Sequence, residues 1–448
     1  MKEIFSWLGP LPIGWQQTKL KRVVDASRPI TYGIVQAGPM IEGGVPYIRP
    51  TDMSDEVGVT DFSSLLRTSE EIAASYKRSS LRQGDIVCTI GPSYGKVMVT
   101  PAELEGANLT QGTARVAVDG RHSTRYYFWV LRSCFSFSQW ESSIGGATFR
   151  ALNLEPLAET IIPEPPISEQ TAIASLLDRE TTKIDALVRE QQRLIELLKE
   201  KRRAVISHAV TKGLNSNVEM RDAGVEWLGE VPKHWDLIRL KFVSPEITVG
   251  IVVEPSKYYC EDGVPALRSL NVQPGAIRLE NLVYISEEAN DLLCKSKLYS
   301  GDLVAVRTGQ PGTVAVVPDN LNGCNCIDLI IIRRPNGDCE QFLCWYLASD
   351  FAVRQFTEGS EGAIQQHFNV STAKSLFVVR PPKSEQEEIA SFLSKETKKI
   401  DALVAEAEDG IRLLQERRAA LIAAAVTGKI DVRGPIEVKG PTPEVVAA

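Results

Sequence analysis

Two long stretches of this chain place apolar residues at spacings of three and four. The first runs through Ile173, Leu177, Ile184, Leu187, Leu194, Leu198 and Val205, the second through Ile389, Leu393, Ile400, Leu403, Leu414 and Leu421. One apolar stripe sustained over five to six heptads predicts a coiled-coil helix rather than a helix lying on a domain surface. At about 1.5 Å per residue, roughly 45 residues span roughly 65 Å. So long a seam needs a partner, and the nearest is the other copy in the same chain. Pro165-Pro166 and Pro381-Pro382 bring the chain in extended. Ser168 and Ser384 then stand where an N-cap belongs, and Ser384 with Glu387 fits a capping box. Gly213 and Gly428 mark the C-terminal ends. His208 falls on the first stripe, and Gly410 interrupts the second, as a local bend or a close contact would.

The rest of the chain reads differently. Short apolar runs at 85–90, 96–100, 302–306, 313–317 and 328–332 are bounded by Gly, Pro, Asn and Asp, the pattern of strands with tight turns. Helical stretches at Ser133–Glu141 and Glu340–Phe356 are interspersed. The expected class is α+β: two strand-rich mixed domains and two long α-helices.

The chain repeats itself. Residues 166–214 and 382–430 align without a gap at an offset of 216, sharing SEQ, IAS, ET, KIDALV and AVT in register. Upstream, WLGPLPIGW ending at Trp15 matches WLGEVPKHW ending at Trp235. Ile30–Val35 matches Ile247–Val252, Gly84-Asp85 matches Gly301-Asp302, and Asn153 matches Asn369. Nearly identical helices thus follow two dissimilar globular regions.

Composition changes this picture little. The chain is 43% apolar and 24% charged, as soluble globular proteins are. No apolar run approaches the roughly 18 residues of a membrane span, and the N-terminal segment lacks the apolar core of a signal peptide. The expected compartment is the cytoplasm, away from membranes. Cys88, Cys134, Cys260, Cys294, Cys324, Cys326, Cys339 and Cys344 show no disulfide framework and no metal-ligand spacing, and are read as reduced thiols. Net charge is −7, distributed as −1 over 1–165, +2 over 166–213, −6 over 214–380 and −2 over 381–448. A nucleic-acid surface would therefore have to be a local patch.

Loop residues with the chemistry to read base edges and phosphates are, in the first region, Tyr32, Gln36, Arg49, Tyr94, Lys96, Gln111, Thr113 and Arg150. In the second they are Arg268, Asn271, Arg307, Thr308, Gln310, Gln365, Gln366 and His367. The same residue types also serve as solvated turn positions, and Gly309–Gly312 fits a plain hairpin turn. Catalytic motifs are missing. The run from Gly91 to Lys96 is one residue short of a phosphate loop, and Val97 stands where it needs a hydroxyl. No GxGxxG after a strand, HExxH, GxSxG or [DN]PP[YFW] occurs, and the four histidines are far apart. We expect neither a catalytic site nor a metal site on this chain.

A PPxSEQ…KIDALV helix behind each of two dissimilar domains, with WLGxxPxxW openings, resembles the specificity (S) subunit of type I restriction–modification systems over residues 1–430. The resemblance implies target-recognition domains at 1–165 and 226–380, each reading half of a bipartite, asymmetric site in double-stranded DNA. It implies that helical segments 166–225 and 381–430 form an antiparallel coiled coil that spaces them. It also implies two methylation (M) subunits carrying S-adenosylmethionine and two restriction (R) subunits using ATP and Mg²⁺, with no cofactor on this chain. The tail 431–448 lies outside the resemblance and is expected to be disordered. A coiled-coil scaffold that never touches DNA is the competing reading.

Overall fold

The computed structural model describes residues 8–54, 58–144, 151–225, 228–307, 313–358 and 368–432. The chain is mixed α+β and divides into two compact units, Met1–Gln191 with Asp409–Ala448, and Gln192–Glu408. Two long helices, Ile167–Lys212 and Lys383–Val426, each contribute a part to both units.

In the first unit a four-stranded antiparallel sheet has the order Thr31–Tyr32, Thr113–Val116, Ile86–Thr89, Val97–Val99. Ile86, Val87 and Cys88 are fully buried, which explains their unbroken apolar run. One face packs on helix Thr124–Leu131, where every side chain from Tyr126 to Leu131 is buried. A smaller sheet pairs Val45–Ile48 antiparallel with Arg67–Thr68 and parallel with Asn108–Leu109. Buried Asn108 accepts there from the Leu109 N–H (2.9 Å) and the Ser79 hydroxyl (2.5 Å).

The second unit repeats the plan. Its main sheet has the order Ile247–Val249, Leu329–Ile332, Leu303–Val306, Val314–Val316. Buried Asn325 takes the place of Asn108 and accepts from the Cys326 N–H at 2.9 Å. The stretch expected as one helix at 340–356 is two, Glu340–Leu347 and Asp350–Glu358. They part at buried Ser349, whose hydroxyl bonds back to the Tyr346 carbonyl at 2.6 Å.

Each long helix is attached to its globular region in the same way. Gln16–Lys19 pairs with Ile161–Glu164, and Asp236–Arg239 with Phe377–Arg380, each ribbon leading into the proline pair. The prolines, not the serines, cap the helices. The Pro166 carbonyl accepts from the Glu169 and Gln170 N–H groups and Pro382 from Gln386, so Ser168 and Ser384 lie exposed within the first turn. Gln170, buried, accepts from the Ser123 N–H and donates to the Pro165 carbonyl, both at 2.8 Å. Gln386 accepts from the Cys339 N–H (2.8 Å) and donates to the Pro381 carbonyl (2.9 Å). At the far ends Gly213 and Gly428 take left-handed φ of 76° and 73°.

A stripe of buried and half-buried residues follows an alternating four-three spacing in both helices. In the first it runs Leu177, Thr181, Ile184, Val188, Gln191, Ile195, Leu198, Arg202, Val205, Ala209. In the second it runs Leu393, Thr397, Ile400, Val404, Ala407, Ile411, Leu414, Arg418, Leu421, Ala425, with Ile173 and Ile389 buried upstream. This corrects three expected seam positions: Leu187, Leu194 and Leu403 are 51%, 43% and 49% exposed, one residue off the stripe. His208 is also exposed, while Ile206, Ala209 and Val210 are buried beside it. Gly410 continues the helix, and a Cβ there would meet nothing within 4 Å, so it makes no close contact.

Within the first unit, Arg418 donates to Asp185 at 2.8 Å and lies 5.8 Å from the Trp129 ring centre. The Tyr126 hydroxyl donates to the Val426 carbonyl at 3.2 Å. Within the second, Arg202 is 3.2 Å from Asp401 and 6.0 Å from the Trp345 ring centre. Every member of the second set lies 216 positions from its counterpart in the first.

Candidate nucleic-acid interface

In the first unit, backbone hydrogen bonds gather four loops at one end of the main sheet. The Gln111 N–H donates to the Ile34 carbonyl (3.0 Å), Thr110 to Ile48 (3.2 Å) and Ile90 to Gly112 (2.8 Å). Glycine permits this closeness. A Cβ on Gly33 would come 2.0 Å from the Leu109 carbonyl oxygen, and one on Gly112 would come 2.7 Å from Pro50. Five residues separated in sequence, Tyr32, Gln36, Tyr94, Lys96 and Gln111, therefore lie on or beside one loop cluster.

Their surroundings differ. Gln36 and Gln111 are exposed, which leaves their amides to solvent. Tyr32, Tyr94 and Lys96 are half-buried. The Tyr94 ring stacks on Phe137 and its hydroxyl bonds Glu141, while Lys96 Nζ donates to the Met53 carbonyl at 2.7 Å. Arg49 is forked onto Asp52 at 2.6 and 3.0 Å, and this bond raises the guanidinium pKa further. Thr113 is fully buried, with its hydroxyl on the Ile48 carbonyl at 3.0 Å, so it ties the loops together rather than facing outward.

The second unit brings together the matching loops. The Ile251 N–H donates to the Cys326 carbonyl and Ile327 to Leu267, both at 2.8 Å. A Cβ on Gly250 would come 2.5 Å from the Cys326 carbonyl oxygen. Arg268 donates to the Asn281 carbonyl at 2.7 Å. Asn271 is buried; it accepts from the Arg268 N–H and donates to Glu280, which makes it a loop brace like Asp52. Arg307 pairs with Asp328 at 2.8 Å. Arg150, Thr308, Gln310, Gln365, Gln366 and His367 lie outside the described residues.

Sequence reading passed over apolar side chains on these loops: Val35 (49% exposed) in the first unit, Val252 (47%) and Val253 (78%) in the second. Such groups suit the thymine methyl, and their high exposure at loop tips is the signal that marks them. The assembly offers amides, guanidinium groups, a lysine and apolar tips. That is the equipment of a recognition surface. Among the described residues no group of three His, Cys, Asp or Glu could hold a metal ion, and no helix is long and apolar enough to cross a membrane.

Residues 12–197 match the family model of the type I restriction modification DNA specificity domain. The chain is 29% identical over 170 residues to the EcoBI type I restriction enzyme specificity subunit of Escherichia coli, which covers 38% of this chain and 35% of that one. This chain thus spans about a third of the EcoBI subunit. It is 24% identical over 316 residues to the MjaVIII specificity subunit of Methanocaldococcus jannaschii, covering 69% and 70% of the two chains. A chain from a type I R-M system, solved for its complex assembly and conformational transition, aligns over 93% of this protein and 98% of itself, with a TM-score of 0.65 and 17% identity, which shows a shared fold. These named relatives are specificity subunits of type I restriction enzymes. The match over residues 12–197 and the similarity along the rest of the chain make this protein similar to the specificity subunits of type I restriction enzymes.

Proposed function

We propose that this chain is the DNA sequence-recognition subunit of a type I restriction–modification complex. The regions 1–165 and 226–380 each read one half of a bipartite, asymmetric site. The helical segments 166–225 and 381–430 pair as an antiparallel coiled coil that spaces the two readers and docks methylation and restriction subunits. S-adenosylmethionine, ATP and Mg²⁺ belong to those partners.

One observation carries the reading: the fixtures that join helix to globular region are duplicated, whereas the loop tips are not. Trp15–Glu169 and Trp235–Glu385, Gln170 and Gln386, and the Arg418–Asp185 and Arg202–Asp401 pairs recur between the two repeats. At the loops, Gln111 is matched by Asp328, whose N–H likewise donates to Ile251 as that of Gln111 does to Ile34, and Val35-Gln36 is matched by Val252-Val253. One attachment with two surfaces is what reading two unlike half-sites requires. The ion pairs support opposite helix directions, because Asp185 precedes Arg202 while their partners Arg418 and Asp401 run in reverse order. Gln36, Gln111, Tyr32, Tyr94 and Lys96 are proposed base and phosphate contacts in the first reader, Arg268 and Arg307 in the second.

The test is methylome sequencing of DNA modified by this chain together with its methylation subunit. The expected motif has two unlike half-sites separated by a gap of unspecified bases. A perfect palindrome contradicts the two-reader assignment, and DNA binding that is indifferent to sequence favours the scaffold reading.

A further inference from the structure

We propose that the cavity between residues 27–32 and 77–82 of the first unit binds a phosphate-type anion. Its volume is about 560 Å³, within the range of small-molecule sites. Arg28, Lys77, Arg78, Arg82 and Arg115 line it, together with the Tyr32 ring. Two carboxylates stand close by. Asp85 takes the Arg28 fork at 2.8 and 2.5 Å, and Asp25 feels the charges of Arg28 and Arg82. Lys77, Arg78 and Arg82 form no ion pair among the described residues. Five cations against two carboxylates leave a local excess of positive charge in a chain whose net charge is −7.

Arg115 is the unusual member. It is 3% exposed and donates to the carbonyls of Arg78 (2.5 Å), Ser80 (3.1 Å) and Pro29 (3.2 Å), but to no carboxylate among the described residues. Its Nε has no hydrogen-bond partner among the described residues. Burial, then the neighbouring Arg28 charge, push its pKa down, the signature of a cation crowded by cations. The matching position of the second sheet holds no cation. Arg115 lies opposite Val87, and in the second unit the residue opposite the corresponding Val304 is Ile331, fully buried. Burying a guanidinium where isoleucine serves is costly, and an anion in the cavity would offset that cost. A phosphate accepts from guanidinium and ammonium groups at once, and Tyr32 supplies a ring face for whatever the phosphate carries. The source is either a backbone phosphate of duplex DNA or a free phosphate compound. The cavity shares Tyr32 with the proposed DNA contacts; its test begins without DNA, so that a failure of the anion site and a failure of the DNA-reading assignment are distinguishable.

The experiment titrates pyrophosphate into the full-length chain by calorimetry at constant ionic strength. One saturable site is expected. Changing Lys77 and Arg78 together to alanine should weaken it at least about tenfold. Both are exposed, and an unchanged unfolding midpoint without ligand confirms that the variant folds. Arg121→Ala, an exposed arginine outside the cavity, should leave the affinity unchanged. Competition then identifies the source: displacement of duplex DNA by pyrophosphate assigns a backbone phosphate, and simultaneous binding assigns a free phosphate compound; both outcomes support the cavity. No saturable binding, or binding that the Lys77/Arg78 variant leaves unchanged, overturns it.

Discussion

The indole Nε1 of Trp15 donates to Glu169 at 2.9 Å across 154 residues of chain. Its counterpart Trp235 donates to Glu385 at the same distance. The tryptophan closes the WLGxxPxxW opening and the glutamate belongs to the SEQ that starts the helix, so two motifs far apart in sequence meet in one bond in each unit.

The two tryptophans differ in burial, which sets a test. Trp235 is 1% exposed and Trp15 is half-buried. Trp235→Ala should cost about 3–5 kcal/mol and Trp15→Ala distinctly less. Urea unfolding followed by circular dichroism measures both. Equal costs would mean that the hydrogen bond, not the buried ring area, dominates.

The helix register gives a second prediction. Ile184 is buried and Leu187 half-exposed. Ile184→Asp places a carboxylate in the seam and should destabilise the fold by at least about 3 kcal/mol, whereas Leu187→Asp should stay within about 1 kcal/mol. Thermal melts of the two variants decide this, and a reversed order would restore the leucine stripe read from sequence.

Acid should destabilise the first unit. Burial alone would raise the Asp119 pKa, but hydrogen bonds from Arg121 and His122 outweigh it and hold the carboxyl at about 2. A depressed carboxyl contributes stability that is fully present above its unfolded value near 3.8 and is lost as pH falls through about 2. The contribution at neutral pH is at most about 2 kcal/mol. Asp119→Asn should lose it at pH 5 and match the native chain near pH 2, as read by urea midpoints. A gap between the two proteins that stays constant with pH would show that Asp119 stays charged or contributes nothing.

The sequence made the duplication, the strand runs and the long helices legible, because each is a local pattern repeated in register. It misplaced three seam positions, Leu187, Leu194 and Leu403, because the stripe contains Thr181, Gln191 and Arg202 while leucines sit one position away. Thr181 is compatible with burial because its hydroxyl bonds the Leu177 carbonyl at 2.6 Å, and Arg202 because it meets Asp401 and Trp345. The candidate contacts were only partly legible for a related reason. Thr113 and Asn271 have the right chemistry for base contact, but their hydrogen bonds are spent on neighbouring backbone, and only the loop packing reveals this. The basic cavity was hidden because its cations come from three separated segments of an acidic chain.

The most direct test of the account removes one heptad from each helix, Leu187–Arg193 and the matching Leu403–Asp409, and maps the methylated sites. The deletion keeps the four-three spacing and shortens each helix by about 10 Å, roughly three base pairs of duplex at 3.4 Å per step. Both half-site sequences should survive while the gap between them shortens. An unchanged gap in a folded, active variant would contradict the claim that two readers are held apart by a helical ruler.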